Sequence, residues 1–242
     1  MEMNQKYLDE EKVILNNIID TFLSGMDQGY MARGMKQYRT PEEFFGSGVE
    51  LIIRPQCNQK CEYCYITQYG KELYPVEERI SNEQILKNLN ILLNYFYNEK
   101  KYKIYHYELF AGDLFYDDLF FDIMDVFYPY LKDFSEKYRD KLIESGGVIV
   151  IPSNAYALLT DDNRMTRYKE YVKKFSEIYF EIAISWSTDG KYATDSREQK
   201  TLSDEYWDKG FKFMEEMGYG FHPMLSYENI DNAIKNYEWM KE

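Results

Sequence analysis

The stretch "LIIRPQCNQKCEYCYITQ", residues 51–68, contains every cysteine of this 242-residue chain. Cys57, Cys61 and Cys64 fall within eight positions, with the spacing C-x3-C-x2-C. An odd number of thiols cannot all pair as disulfides, and so tight a run is unlike the spread framework of a secreted disulfide-rich domain. Three soft ligands also leave a tetrahedral metal site one donor short. The loop therefore asks for a ligand from elsewhere, and the segments on either side of it decide the fold.

Immediately before the cysteines, "VELIIR" (49–54) reads as a short apolar strand. Four more such runs follow: "KIYHYEL" (103–109), "GVIVI" (147–151), "FEIAIS" (180–185) and "YGFHPML" (219–225). The intervening segments have helical periodicity. "SNEQILKNLNILLNYFY" opens on Ser81 as N-cap with Gln84 three places on, a capping-box pattern. Further helices are expected over about 117–142, around 164–178, and over 203–217 with Gly218 as the stop. A last helix begins in "NIDNAIKNYEWMKE".

Ahead of the first strand, Val13, Ile14, Ile18 and Phe22 at helical spacing predict a lead-in helix over about 7–23. The expected division is a helical lead-in over 1–45 and a core over 46–242. Five strands, each followed by a helix, imply an α/β fold with parallel pairing and right-handed crossovers. In such folds chemistry collects at the C-terminal ends of the strands. The apolar positions Ile234, Tyr237 and Met240 of the last helix call for a further strand, so the chain is expected to be a fragment or a reduced barrel.

Lys and Arg number 29 against 42 Asp and Glu, a net charge of −13. Nucleic acid would be repelled at long range, and "EKKYK" (99–103) is too short to supply a basic surface. No apolar run approaches the ~20 residues that span a bilayer, and the acidic, polar start "MEMNQKYLDEEK" is no signal peptide. The expected location is the cytoplasm, with no nucleic-acid or membrane partner. The 25 tyrosines read as composition bias, rings in the core with the hydroxyl turned to a partner.

Iron–sulfur clusters take cysteine thiolates, normally one per iron. Three thiolates from one loop hold three corners of a [4Fe–4S] cube and leave the fourth iron open. The competing readings are a zinc site completed by His106 or His222, and chance clustering of buried cysteines. Zinc ligands usually come in matched Cys or Cys/His couples, which a single C-x3-C-x2-C does not supply.

On these residues the chain resembles the radical S-adenosylmethionine (radical SAM) superfamily, whose signature is C-x3-C-x-aromatic-C with Tyr63 in the aromatic place beside the adenine. The resemblance implies a partial parallel (β/α)6 TIM-like barrel, incomplete at the C-terminus, and two cofactors, a [4Fe–4S] cluster held by Cys57, Cys61 and Cys64 and S-adenosyl-L-methionine on the open iron. It implies reductive cleavage of S-adenosylmethionine to a 5′-deoxyadenosyl radical, with the cofactor carrying the chemistry and the protein orienting it. It also implies an external electron donor of flavodoxin or ferredoxin type.

Later loops extend the likeness. After the second strand, where the family has G-G-E facing the methionine amino group, this chain has Ala111, Gly112 and Asp113. Taken alone, Asp113 reads as an N-cap before "YDDLFFD". Ser153 and Asn154 follow the third strand where the family places ribose contacts, and both are also ordinary turn residues. After the fourth strand, Ser187, Asp189 and Gly190 match an S-x-D-G pattern, and Arg197 stands where that branch carries an arginine suited to a carboxylate. His222 and Met224 alternate to one side of the fifth strand, near the family's adenine contacts.

That branch modifies peptides and proteins, as the anaerobic sulfatase-maturing enzymes and peptide maturases do, so the implied substrate is a peptide or protein. Most members add C-terminal clusters, but no cysteine follows Cys64 here. Alternatives are a glycyl-radical activase, an enzyme of a small metabolite, or a non-enzymatic scaffold, either degenerate or zinc-bound. A catalytic acid or base is not assigned.

Overall fold

The computed structural model describes residues 48–61, 64–73, 75, 80–188 and 203–222, with 232, 235, 238 and 239. The predicted lead-in helix and most of the last helix lie outside these residues.

Five strands form one parallel sheet in the order β1-β2-β3-β4-β5: Gly48–Arg54, His106–Ala111, Gly147–Ser153, Phe180–Ser187 and Phe221–His222. Each strand lies beside its predecessor, without the reversal of order that defines a doubly wound sheet. Right-handed crossovers repeated in one direction place the helices on one face. These are α1 (Tyr65–Leu73), α2 (Asn82–Asn94), α3 (Leu119–Lys137), α4 (Arg139–Ser145), α5 (Tyr156–Leu159), α6 (Asp162–Ser176) and α7 (Asp204–Met217).

Period-two alternation sorts the sheet residues. Tyr107, Leu109, Ile149, Ile151, Ile182 and Trp186 are buried beneath the helices. On the other face Glu50 is exposed and Ile52 is 64% exposed. Against the buried face α3 sets Phe120, Met124, Phe127, Leu131 and Phe134, spaced four, three, four and three apart, as a helical stripe requires. Burial of each large apolar side chain contributes about 1.5–3 kcal/mol.

The tyrosines behave as their composition suggests. Tyr107 and Tyr168 are fully buried, and the Tyr168 and Tyr219 hydroxyls both donate to the Ile182 carbonyl, at 3.1 and 2.5 Å.

Several expected boundaries hold in detail. Ser81 Oγ accepts from the Gln84 N–H at 3.2 Å, although the Gln84 amide turns to Asn88 rather than back to the cap, so the box is half formed. Gly218 ends α7 with φ +68°, a left-handed stop that favours glycine. The long helix expected over 117–142 is divided at Tyr138 (φ −122°, ψ 30°), whose ring packs on Phe134 at 4.8 Å. Strand β2 begins three residues later than expected, at His106, and α2 runs on through a π-helical turn at Tyr95–Glu99.

Candidate cofactor site at the carboxyl edge of the sheet

The cysteine loop leaves β1 through a bulge. Pairing runs Leu51↔Leu109 and Ile52↔Phe110, then skips Ile53 to Arg54↔Ala111. The extra residue returns Arg54 to the helix side of the sheet, a bulge re-aiming a side chain next to a site. There Arg54 is 6% exposed, and its guanidinium donates twice to Asp117, both at 2.7 Å. Asp117 also accepts from the Leu119 N–H at 2.9 Å. The entry to the loop is thereby fastened to the start of α3.

A second fastening comes from β2. The Gly112 N–H donates to Arg54 O at 2.8 Å and the Asp113 N–H to Gln56 O at 2.7 Å. The approach is so close that a Cβ on Gly112 would sit 2.1 Å from Gln56 O. Glycine is required here by contact, as it is wherever two backbones meet this closely.

Asp113 is fully buried. Its carboxylate accepts from the Phe115 N–H (2.8 Å), the Ser153 hydroxyl (2.9 Å) and the Asn154 N–H (3.1 Å). It caps the 3-10 turn Leu114–Tyr116 and joins the loops after β2 and β3. Burial pushes its carboxyl above the usual range against those donors and Arg54. Ser153 accepts in turn from the Ala155 N–H at 2.9 Å, which aims its proton at Asp113. Asp113 and Ser153 are therefore spent on each other in this arrangement.

Asn154 closes on the cysteines. Its amide Nδ2 lies 2.8 Å from Asn58 Oδ1 and 3.6 Å from Cys57 Sγ. The Gln59 N–H also donates to Cys57 Sγ, at 3.4 Å. The three cysteines are half-buried. Burial pushes the Cys57 thiol up to about 11, with the Asp113 carboxylate and the two other cysteines adding to the rise and the Gln59 bond opposing it. Such a thiol gives up its proton readily only to a metal, whose charge offsets the loss.

The residues present fit a sulfur-ligated cluster in the chemistry of the donor set. Three thiols sit on one loop that neighbouring loops hold in place, and Gln56 Oε1 on the same loop is buried with no hydrogen-bond partner. Among the described residues no group of three or more His, Cys, Asp or Glu is placed to hold a metal ion. His106 stands at the start of β2, opposite Gly48 and roughly 16 Å of strand from the cysteine edge. It therefore cannot complete a zinc site with these thiols.

Ser187 ends β4 at the same edge, paired with His222 of β5. Tyr63, Asp189, Gly190, Arg197 and Met224 lie outside the described residues. Sequence reading missed Arg54, Asn58, Asp117 and Trp186, whose indole N–H donates to Asn154 O at 3.0 Å. The one signal in the sequence was the arginine that ends the first apolar run, directly before the cysteine loop. A separate cavity of about 430 Å3 opens at the opposite edge of the sheet, lined in part by Tyr97, Tyr130, Tyr138 and Lys101, and has no part in this arrangement.

Comparison with known proteins found no match: no family model, no curated protein and no solved structure. No described helix is long and apolar enough to cross a membrane.

Proposed function

We propose that this chain is a radical SAM enzyme built on a partial (β/α)6 barrel and acting on a peptide or protein. The observation that carries the reading is the placement of all three cysteines on one loop at the carboxyl edge of a sequentially ordered parallel sheet. Cys57, Cys61 and Cys64 would hold a [4Fe–4S] cluster with one iron left for S-adenosylmethionine. The cofactors supply, when bound, the reductive carbon–sulfur cleavage that generates a hydrogen-abstracting 5′-deoxyadenosyl radical.

The chain's own residues hold the loop. Arg54 and Gly112 fix where it leaves the sheet, and Asp113, Ser153 and Asn154 join the next two loops behind it. The peptide or protein substrate and the flavodoxin- or ferredoxin-type donor belong to the proposal through the resemblance at Ser187, Asp189, Gly190 and Arg197. So does the cytoplasm as the expected compartment, where thiols stay reduced.

One observation favours a second reading, a degenerate scaffold that binds a cluster without cleaving the cofactor. Asp113, the counterpart of the family's ligand-facing acid, is fully buried and occupied by protein donors. Anaerobic reconstitution tests what the two readings share. Both expect a brown protein with about four irons and four sulfides per chain, lost on Cys61→Ala. A colourless chain that binds one zinc instead overturns both.

A further inference from the structure

We propose that Asn154 is a positioning residue for Cys57, holding an N–H against its sulfur so that the reduction potential of the cluster is raised. This departs from the ribose contact suggested by its place after β3, and it rests on the cluster reading above. Every polar group of Asn154 is already engaged within the protein. Its backbone N–H donates to Asp113 Oδ2 at 3.1 Å, and its carbonyl accepts from the Trp186 indole at 3.0 Å and the Tyr206 hydroxyl at 3.5 Å. Its side-chain oxygen accepts from the Tyr156 N–H at 2.9 Å. That bond settles which end of the amide is the NH2, and the NH2 faces Asn58 Oδ1 and Cys57 Sγ at 2.8 and 3.6 Å.

The residue is 7% exposed, so little of it is offered to a ligand arriving from solvent. Two N–H groups thus reach Cys57 Sγ, the backbone donor of Gln59 and the side-chain donor of Asn154. Only the second depends on a side chain. An N–H dipole directed at a thiolate stabilises the more negative, reduced state of the iron it ligates, and hydrogen bonds to the sulfurs are among the determinants of cluster potential. Asn58 serves as the stop that keeps the amide from turning away.

The test is a potentiometric titration, followed by electron paramagnetic resonance, of the anaerobically reconstituted full chain, Asn154→Leu and Asn58→Ala. Iron, sulfide and melting temperature are measured on each. At a fixed ambient potential, the reduced-to-oxidised ratio is expected to fall about tenfold in Asn154→Leu, a shift of about 59 mV for one electron. Asn58→Ala is expected to shift the same way by less, with full iron content. Unchanged potentials in fully loaded variants overturn the inference and leave the cluster reading standing. A parental chain that assembles no cluster overturns both. Should Asn154→Leu not fold, Asn58→Ala decides, since Asn58 is only half-buried.

Discussion

Replacing Asp113 by glutamate supplies the acid found in the motif of the family the chain resembles, yet the packing predicts a loss. The Asp113 side chain has no exposed surface, and its oxygens meet donors at 2.8, 2.9 and 3.1 Å. Its backbone is pinned as well, through its own N–H to Gln56 O and that of Gly112 to Arg54 O. A further methylene advances the carboxylate by about 1.5 Å into space those donors occupy. Overpacking of this kind costs about 1–3 kcal/mol, and loss of the cap on Phe115 adds about 1 kcal/mol.

Alanine at the same position leaves two buried N–H groups and a hydroxyl without their acceptor, a cost of about 3–9 kcal/mol at 1–3 for each unsatisfied group. Urea unfolding at neutral pH, with the m-value checked for constancy, reads both changes. The sign with pH follows from the raised carboxyl. Between the ordinary aspartate range and the raised value, the folded chain keeps a proton that the unfolded chain has released. This contribution to stability therefore falls as pH rises through that window, and Asp113→Ala removes the slope. A glutamate variant as stable as the parent, binding S-adenosylmethionine more tightly, refutes the view that this acid ties loops.

Gly112→Ala places a Cβ 2.1 Å from a backbone oxygen that cannot swing aside, so a loss of about 2 kcal/mol or more is expected, read by calorimetry as a fall in melting temperature of at least about 4 °C in a chain of this size. Asp117→Ala strands a buried guanidinium at a cost of about 1–3 kcal/mol, discounted because Asp117 is 38% exposed. Burial alone would raise the Asp117 carboxyl, but the Arg54 and Leu119 donors hold it below the usual range. Its stabilisation is full above that range and is lost as pH falls through the depressed value, so the variant's acid-unfolding curve loses that step. His106→Ala is expected to leave metal content unchanged by elemental analysis, and a proportional loss of metal would reinstate it as a ligand.

Much of the fold was legible because each strand is a short apolar run beside a helical period, and because Ser81 and Gly218 mark helix ends chemically. The break at Tyr138 was not legible, since helical periodicity continues past it, and the π-helical turn at Tyr95–Glu99 was not legible because its residues suit an ordinary last helical turn equally well. At the site, the cysteine spacing by itself carries the proposed chemistry, without any three-dimensional information. Arg54 was hidden because a bulge at Ile53 reverses the side to which it points, and one inserted residue leaves no signature in composition. Asp113 illustrates the other limit. Its capping role was visible locally, whereas its bond to Ser153, forty residues away, depends on two strands lying side by side.

The most direct measurement is anaerobic incubation of the reconstituted full chain with S-adenosylmethionine and a strong reductant, with chromatographic detection of 5′-deoxyadenosine. The account predicts that product from the parental chain and none from Cys61→Ala. A chain with its full complement of iron and sulfide that forms no 5′-deoxyadenosine contradicts it.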